Sequence, residues 1–207
     1  MIIPDNQRAR DQAATIIQRG GIIAFRTDTF YGLGVDPFNA VAVQGLRELK
    51  GREEAKPILV LISDLKDVDL FISDRAGLFD RVSERFWPGP LTLVGRARDE
   101  LADALTAGTE TIGVRLPADD AARDLIRVCG GALTGTSANL SGLPPARTAQ
   151  EVETYFPTRV DLIIDGGEVL VIEPSSVLDL SGAAPRLIRE GAVTRKELLR
   201  VFATVSS

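Results

Sequence analysis

Apolar residues recur along this chain at two spacings, and the alternation between those spacings predicts its elements. Ala9, Ala13, Ile16 and Ile17 fall at helical spacing behind Asp5, a residue suited to cap a helix, and Gly20-Gly21 ends the run. The short apolar block at 22–25 then reads as a buried strand that runs into Arg26-Thr27-Asp28-Thr29. A second helix is expected behind Asn39, with Val41, Leu46 and Leu49 facing inward and Gly51 closing it. Residues 57–62 read as a strand, and Ser63 opens a helix or turn towards Phe71. The stretch 74–86 is amphipathic, with Leu78, Phe79, Val82 and Phe86 on one side, until Trp87-Pro88-Gly89-Pro90 stops it.

The second half repeats the alternation with shorter elements. Strands are expected at 91–94 and 111–116, then a helix at 119–129 that Gly130-Gly131 terminates. A strand at 132–136 enters Ser137-Ala138-Asn139, and Thr148 with Glu151 forms a capping box for a helix to Phe156. Strands follow near 160–164, 176–180 and 186–188, and Thr194 with Glu197 opens a last helix through Val201. Strands separated by helices predict an α/β fold, and the consecutive strands late in the chain make its sheet mixed. No repeat or linker divides the 207 residues, so a single domain over 1–207 is expected.

Composition narrows the chemistry more than the fold. The chain has no histidine, which removes Ser–His and Cys–His nucleophiles and the commonest transition-metal ligand. The single cysteine, Cys129, allows no internal disulfide, and no metal site is expected. What remains is Lys, Arg, Ser, Thr, Asn, Tyr, carboxylates and backbone amides, an inventory suited to positioning and charge stabilisation around phosphates and carboxylates. A net charge of −5 argues against nucleic-acid binding through the bulk field, although an acidic chain can carry a basic cleft. No apolar run is long enough to cross a membrane, and Met1-Ile2-Ile3-Pro4-Asp5 lacks the basic start of a signal peptide, so a cytoplasmic location is expected. Neither G-x-x-x-x-G-K-[ST] nor a strand followed by G-x-G-x-x-G is present.

Five segments could carry chemistry, and each has a plain structural alternative. Arg26 to Gly34 places polar residues after an apolar strand, then two glycines that would let a ligand approach the backbone; taken alone, a glycine-bearing turn is the better explanation. Lys50, Arg52 and Lys56 crowd a helix end and the loop after it, either to capture an anion or to complement the helix dipole. The run from Thr134 to Gly142 offers hydroxyls, amides and N–H donors to an anion, or is a hydrogen-bonded turn. Arg115 ends the strand that begins at Thr111, and Arg189 follows Pro174-Ser175-Ser176; either arginine aims into a cleft or is solvated.

Taken together, these segments resemble the threonylcarbamoyl-AMP synthase (YrdC/TsaC-like) family. The matching stretches are Arg26-Thr-Asp-Thr-Phe-Tyr-Gly-Leu-Gly34, Lys50-Gly-Arg52, Pro88-Gly-Pro-Leu-Thr92, Val114-Arg-Leu-Pro117, Ser137-Ala-Asn139, Pro174-Ser-Ser-Val-Leu-Asp179 and Arg189-Glu-Gly191. They occur in family order over about residues 10–191, with a short helix after them, as in the family's short form. The sequence departs from the pattern at Arg26 and Glu53, where the family usually has Pro, and at Leu61, where many relatives have His.

The resemblance implies an open twisted mixed sheet flanked by helices around a large positively charged cavity. It implies that L-threonine and bicarbonate form N-carboxy-threonine, which attacks the α-phosphate of ATP, accompanied by Mg2+, to give threonylcarbamoyl-AMP and pyrophosphate. The product would pass to a tRNA threonylcarbamoyl-transferase complex, and the cavity leaves room for a weak RNA contact. By the same resemblance Lys50 and Arg52 would be catalytic, with Lys56, Thr111, Asn139, Ser141 and Arg189 completing the ATP side. Thr29, Arg115, Ser137 and Ser175 would hold threonine. The competing expectations are an RNA-binding module, against which the 5% aromatic content and lack of a basic run argue, and a paralogue acting on the threonylcarbamoyl product. That paralogous branch typically lacks the paired K-x-R and S-x-N, and hydrogenase-maturation proteins carry the fold in longer, cysteine-rich chains.

Overall fold

The structure is a computed structural model that describes residues 1–51, 57–75, 77–140, 142–170 and 173–203. The chain starts with β1 (Ile2–Pro4), α1 (Gln7–Gln18), β2 (Ile23–Arg26), β3 (Tyr31–Gly34) and α2 (Ala40–Lys50). The cap of α1 is Asn6 rather than Asp5: Asn6 Oδ1 accepts from Ala9 N at 3.0 Å, while the Asp5 carboxylate receives Arg10 Nε at 2.9 Å. Asn39 does cap α2, accepting from Ala42 N at 3.1 Å, and Gly51 closes it in the left-handed region at φ 54°. The inward face of α2 is Ala42, Val43, Leu46 and Leu49. Val41 is instead 83% exposed, because a rotation of ~100° per residue carries it off the face that Ala42, Leu46 and Leu49 share.

Next come β4 (Val60–Ile62), a 3-10 helix (Leu65–Leu70), α3 (Gly77–Phe86), β5 (Leu91–Arg96), α4 (Asp103–Thr106) and β6 (Thr111–Arg115). Then follow α5 (Asp120–Val128), β7 (Ala132–Thr134), β8 (Thr136–Ser137), α6 (Ala149–Tyr155), β9 (Leu162–Asp165), β10 (Ser176–Asp179), β11 (Arg186–Arg189) and α7 (Arg195–Ala203). The box expected at α6 closes on one side only: Thr148 Oγ1 accepts from Glu151 N, but the Glu151 carboxylate turns to Arg147 N. At α7 both halves close, with Glu197 Oε2 accepting from Thr194 N at 2.8 Å and Thr194 Oγ1 from Glu197 N at 3.3 Å.

Two features depart from the sequence reading. The glycine-bearing segment after β2 is not a turn at Gly32 and Gly34 but the strand β3, antiparallel to β2 with Ala24 opposite Leu33. A Cβ on Gly34 would lie 2.9 Å from Phe25 Cε1, so its bare Cα serves packing rather than a ligand. The strands also divide between two mixed sheets, ordered β1-β9-β2-β3-β8 and β11-β10-β5-β6-β4-β7. The division falls within the segment read as one strand at 132–136: β7 joins β4, β8 joins β3, and Gly135 lies between them. Thr134 ties the sheets together, its N–H donating to Val35 O at 3.0 Å and its Oγ1 accepting from Val35 N at 2.9 Å.

Buried apolar side chains from both sheets and from α2 form one cluster, including Tyr31, Leu33, Leu46, Val60, Leu93 and Ile112. A second cluster under α1 and α5 holds Ile17, Phe25, Leu61, Leu125 and Leu133. The mixed α/β class expected from the sequence is therefore the class observed. Among the described residues no helix is long and apolar enough to cross a membrane.

Candidate functional site

Arg115 ends β6 and is only 3% exposed, so its guanidinium has to find its partners within the protein. Three residues from two chain segments supply them. Nε donates to Gly89 O at 2.9 Å, Nη1 to Thr29 Oγ1 at 3.1 Å, and Nη2 lies 2.6 Å from the Asp28 carboxylate. Burial lowers the guanidinium pKa from its ordinary value, and the Asp28 charge opposes that shift. Gly89 can offer its carbonyl here because a Cβ at that position would stand 2.2 Å from Phe86 O. The glycine of the Pro88–Thr92 motif thus has a steric cause.

A second arginine approaches the same region from β11. Arg189 donates to Ser175 O from Nε at 3.0 Å and Nη2 at 2.7 Å, and Nη2 also reaches Ser175 Oγ at 3.2 Å. Ser175 Oγ in turn lies 3.3 Å from Thr92 Oγ1 on β5. Arg189 as a whole stays exposed, but its donor end is covered at Ser175. Its pKa is lowered by that burial first and by the Arg115 charge second, so the two guanidiniums share one field. Two cations held that close favour an anion between them. Gly191 permits the approach, since a Cβ on it would lie 2.2 Å from Pro174 O.

Lys50 forms the third group. From the last turn of α2 its Nζ donates to Ser137 O at 2.7 Å, to Asn139 Oδ1 at 2.9 Å and closely to Asn139 O. It also stands over the Phe156 ring, 6.0 Å from the centroid. Ser137 Oγ donates to Asn139 Oδ1 at 2.6 Å, and Asn139 Nδ2 holds Leu143 O at 2.6 Å. Sheet pairing ties this group to the first. Ser137 lies opposite Gly32, and Ala138 N donates to Tyr31 O at 2.8 Å, directly after the 27–30 turn that Arg115 grips.

Of the residues singled out from the sequence, the structure brings Thr29, Arg115, Ser175 and Arg189 together, and Lys50, Ser137 and Asn139 beside them. Thr111 is not among these contacts. It opens β6, opposite Arg96, about 13 Å along the strand from Arg115, with its hydroxyl 3.1 Å from Thr109 Oγ1. Arg52, Lys56 and Ser141 lie outside the described residues, as does Glu53. Leu61 is buried in the cluster under α1 and α5, opposite Arg115 in the β4–β6 register. The sequence reading did not include Asp28, Gly89 or Thr92 among its site residues. The signal was available, since each lies inside a motif that it quoted.

Two hollows outlined by described residues lie elsewhere, one beneath Arg26 and Asp119 and the other along α7 by Arg195, Leu199 and Arg200. Neither corresponds to the large positive cavity that the resemblance implies. Among the described residues no three His, Cys, Asp or Glu side chains converge to hold a metal ion.

Comparison with known proteins identifies the family. The Sua5/YciO/YrdC family model, described as telomere recombination, matches residues 15–191. The threonylcarbamoyl-AMP synthase of Pyrococcus abyssi is 34% identical over 193 residues, which are 93% of this chain and 57% of that protein. The threonylcarbamoyl-AMP synthase of Idiomarina loihiensis is 40% identical over 173 residues, 81% of this chain and 91% of that protein. The crystal structure of Pyrococcus abyssi Sua5 complexed with L-threonine superposes with a TM-score of 0.93 at 33% identity, over 97% of this chain and 60% of that one. This chain therefore spans a little over half the length of the Pyrococcus protein. The ordered motifs, the paired sheets and the matched residues 15–191 establish that the chain belongs to the Sua5/YciO/YrdC family.

Proposed function

We propose that this chain condenses L-threonine, bicarbonate and ATP into threonylcarbamoyl-AMP with release of pyrophosphate, and that residues 1–207 act as one YrdC-like domain. The observation that carries this reading is the convergence of Arg115, and of Lys50 through Ser137, on the turn at 27–30. One buried cation suits a carboxylate, and a neighbouring cation held by backbone oxygens suits phosphates. The match to a Sua5 crystallised with L-threonine supports threonine as the amino acid.

Arg115 pairs with the threonine carboxylate, while Thr29, Ser137 and Ser175 offer hydroxyls to the rest of the molecule. Lys50, Arg52 and Lys56 face the phosphates, and Thr111, Asn139, Ser141 and Arg189 line the nucleotide side. Lys50 carries three donor hydrogens, and Ser137 O, Asn139 O and Asn139 Oδ1 already receive them, so a phosphate oxygen has to replace one of these acceptors.

In the chemical step a carboxylate oxygen of N-carboxy-threonine bonds to the α-phosphorus. The bond from that phosphorus to the bridging oxygen breaks, and its electron pair leaves with pyrophosphate. Negative charge builds on the phosphoryl oxygens as this happens, and fixed cations stabilise it without reorganising. Mg2+ enters only as the companion of ATP. The product is consumed by a separate transferase that modifies tRNA.

The test is pyrophosphate release by the purified chain, with L-threonine and bicarbonate each supplied or omitted. Release that requires both is the expected result. Release that continues without threonine would assign a different substrate to this site, and no release under any condition would reject the synthase reading.

A further inference from the structure

The roles above leave one charged group beside Arg115 without a task. Asp28 stands in the 27–30 turn with its side chain 16% exposed, and its Oδ1 lies 2.6 Å from Arg115 Nη2. The two form an ion pair, and among the described residues neither of these buried atoms has a hydrogen bond to any other group. Neighbouring groups do not relieve Asp28. The Thr27 hydroxyl serves Phe30 O and Thr29 N, and the Thr29 hydroxyl meets Arg115 and Thr27. Arg115 uses Nε and Nη1 on Gly89 and Thr29, so Nη2 and Asp28 Oδ1 have only each other as partners among the described residues, a cation and an anion side by side.

An α-amino acid carries its two opposite charges on a single carbon. A complementary site therefore needs a cation and an anion next to each other. We propose that Asp28 binds the α-ammonium of the substrate while Arg115 binds its α-carboxylate, an assignment that rests on the synthase reading above. It gives Asp28 a second consequence. Carboxylation by bicarbonate converts the ammonium into a carbamate, with release of water and one proton, and so reverses the charge that Asp28 faces. The same carboxylate that attracts threonine then repels the carbamate.

The competing explanation is that Asp28 only neutralises a buried guanidinium, and the two are separable by calorimetry without ATP. The probes are L-threonine and the 2,3-dihydroxybutanoate of the same configuration, which carries a hydroxyl in place of the ammonium. Wild-type protein is expected to prefer threonine by about tenfold or more, the scale of one charge-assisted hydrogen bond. Asp28→Asn should abolish that preference by weakening threonine alone. Equal affinity of wild-type protein for the two probes would overturn the proposal, and this comparison requires no variant to fold. Parallel weakening of both probes by Asp28→Asn would overturn it as well, leaving Asp28 as a support for Arg115. Wild-type protein that binds neither probe would reject the synthase reading together with the assignment.

Discussion

At Arg115, charge and burial oppose each other, and the surrounding groups decide the outcome. Gly89 O, Thr29 Oγ1 and Asp28 occupy different sides of the guanidinium, which fixes its plane before any ligand arrives. Arg115→Ala is expected to raise the threonine requirement about tenfold or more while changing the ATP requirement far less, as read from the two KM values in the pyrophosphate assay. The same variant strands Asp28, so its denaturation midpoint should fall by the equivalent of about 3–5 kcal/mol. Tyr31 tests a different residue-scale effect. Burial pushes its phenol up to about 12, with Asp165 adding repulsion, and its OH donates to Gly167 O at 2.9 Å. A folded-state value above the usual 10 means this contribution is complete below about pH 10 and lost as the pH rises towards 12. Urea titrations should show Tyr31→Phe less stable by about 1–2 kcal/mol at neutral pH, with no such decline in alkali. Arg115 and Lys50 were both legible in the sequence as cations at element ends. Their partners were not, because the alternation of apolar and polar residues does not say which carboxylate or carbonyl a guanidinium will meet.

Elements with a capping residue and a clear helical period were the easiest to read. Asn39, Thr148 and Thr194 all cap where the sequence placed them. At α1, Asp5 and Asn6 are both good caps, and only the backbone geometry selects Asn6. The strand β3 was missed because its two glycines read as a turn, whereas Gly34 is needed bare against Phe25. Three-residue β1 is too short to show any period and exists by pairing with β9, Ile3 opposite Ile164. The same glycine-to-alanine change should have opposite signs in two elements. Gly191→Ala drives a Cβ to 2.2 Å from Pro174 O, backbone against backbone, so a loss of about 1–3 kcal/mol or more is expected together with weaker Arg189–Ser175 contact. Gly45→Ala, within α2 with nothing inside 4 Å, should stabilise by about 0.5–1 kcal/mol. Thermal melts of the two variants side by side would check both signs.

Across the whole molecule the candidate site lies where strands from both sheets approach each other. The turn at 27–30 belongs to the β2–β3 hairpin of one sheet, while Arg115, Thr92 and Arg189 come from the other. The mixed α/β class was legible from the order of elements. The partition into two sheets was not, because it depends on pairings between distant segments, such as β5 with β10 and β1 with β9. The buried Ser176 shows how far the second sheet depends on its last segment. Its hydroxyl donates to Val193 O at 2.5 Å and accepts from Gly191 N at 2.8 Å. A chain ending at Leu180 would strand that hydroxyl, leave β10 as an edge and lack Arg189. Such a chain is expected to lose threonine binding by calorimetry and its sharp thermal transition by circular dichroism.

The placement of β11 also has a consequence in time. Lys50 leaves the ribosome early and Arg189 late, and at roughly 5–20 residues per second the interval between them is on the order of ten seconds. For most of that interval neither β10 nor β11 has been made, and Ser175 precedes its guanidinium by only 14 residues. Until residue 189 has emerged, the nascent chain carries Lys50 and Arg115 without Arg189, and the set of cations is complete only once β11 can pair with β10.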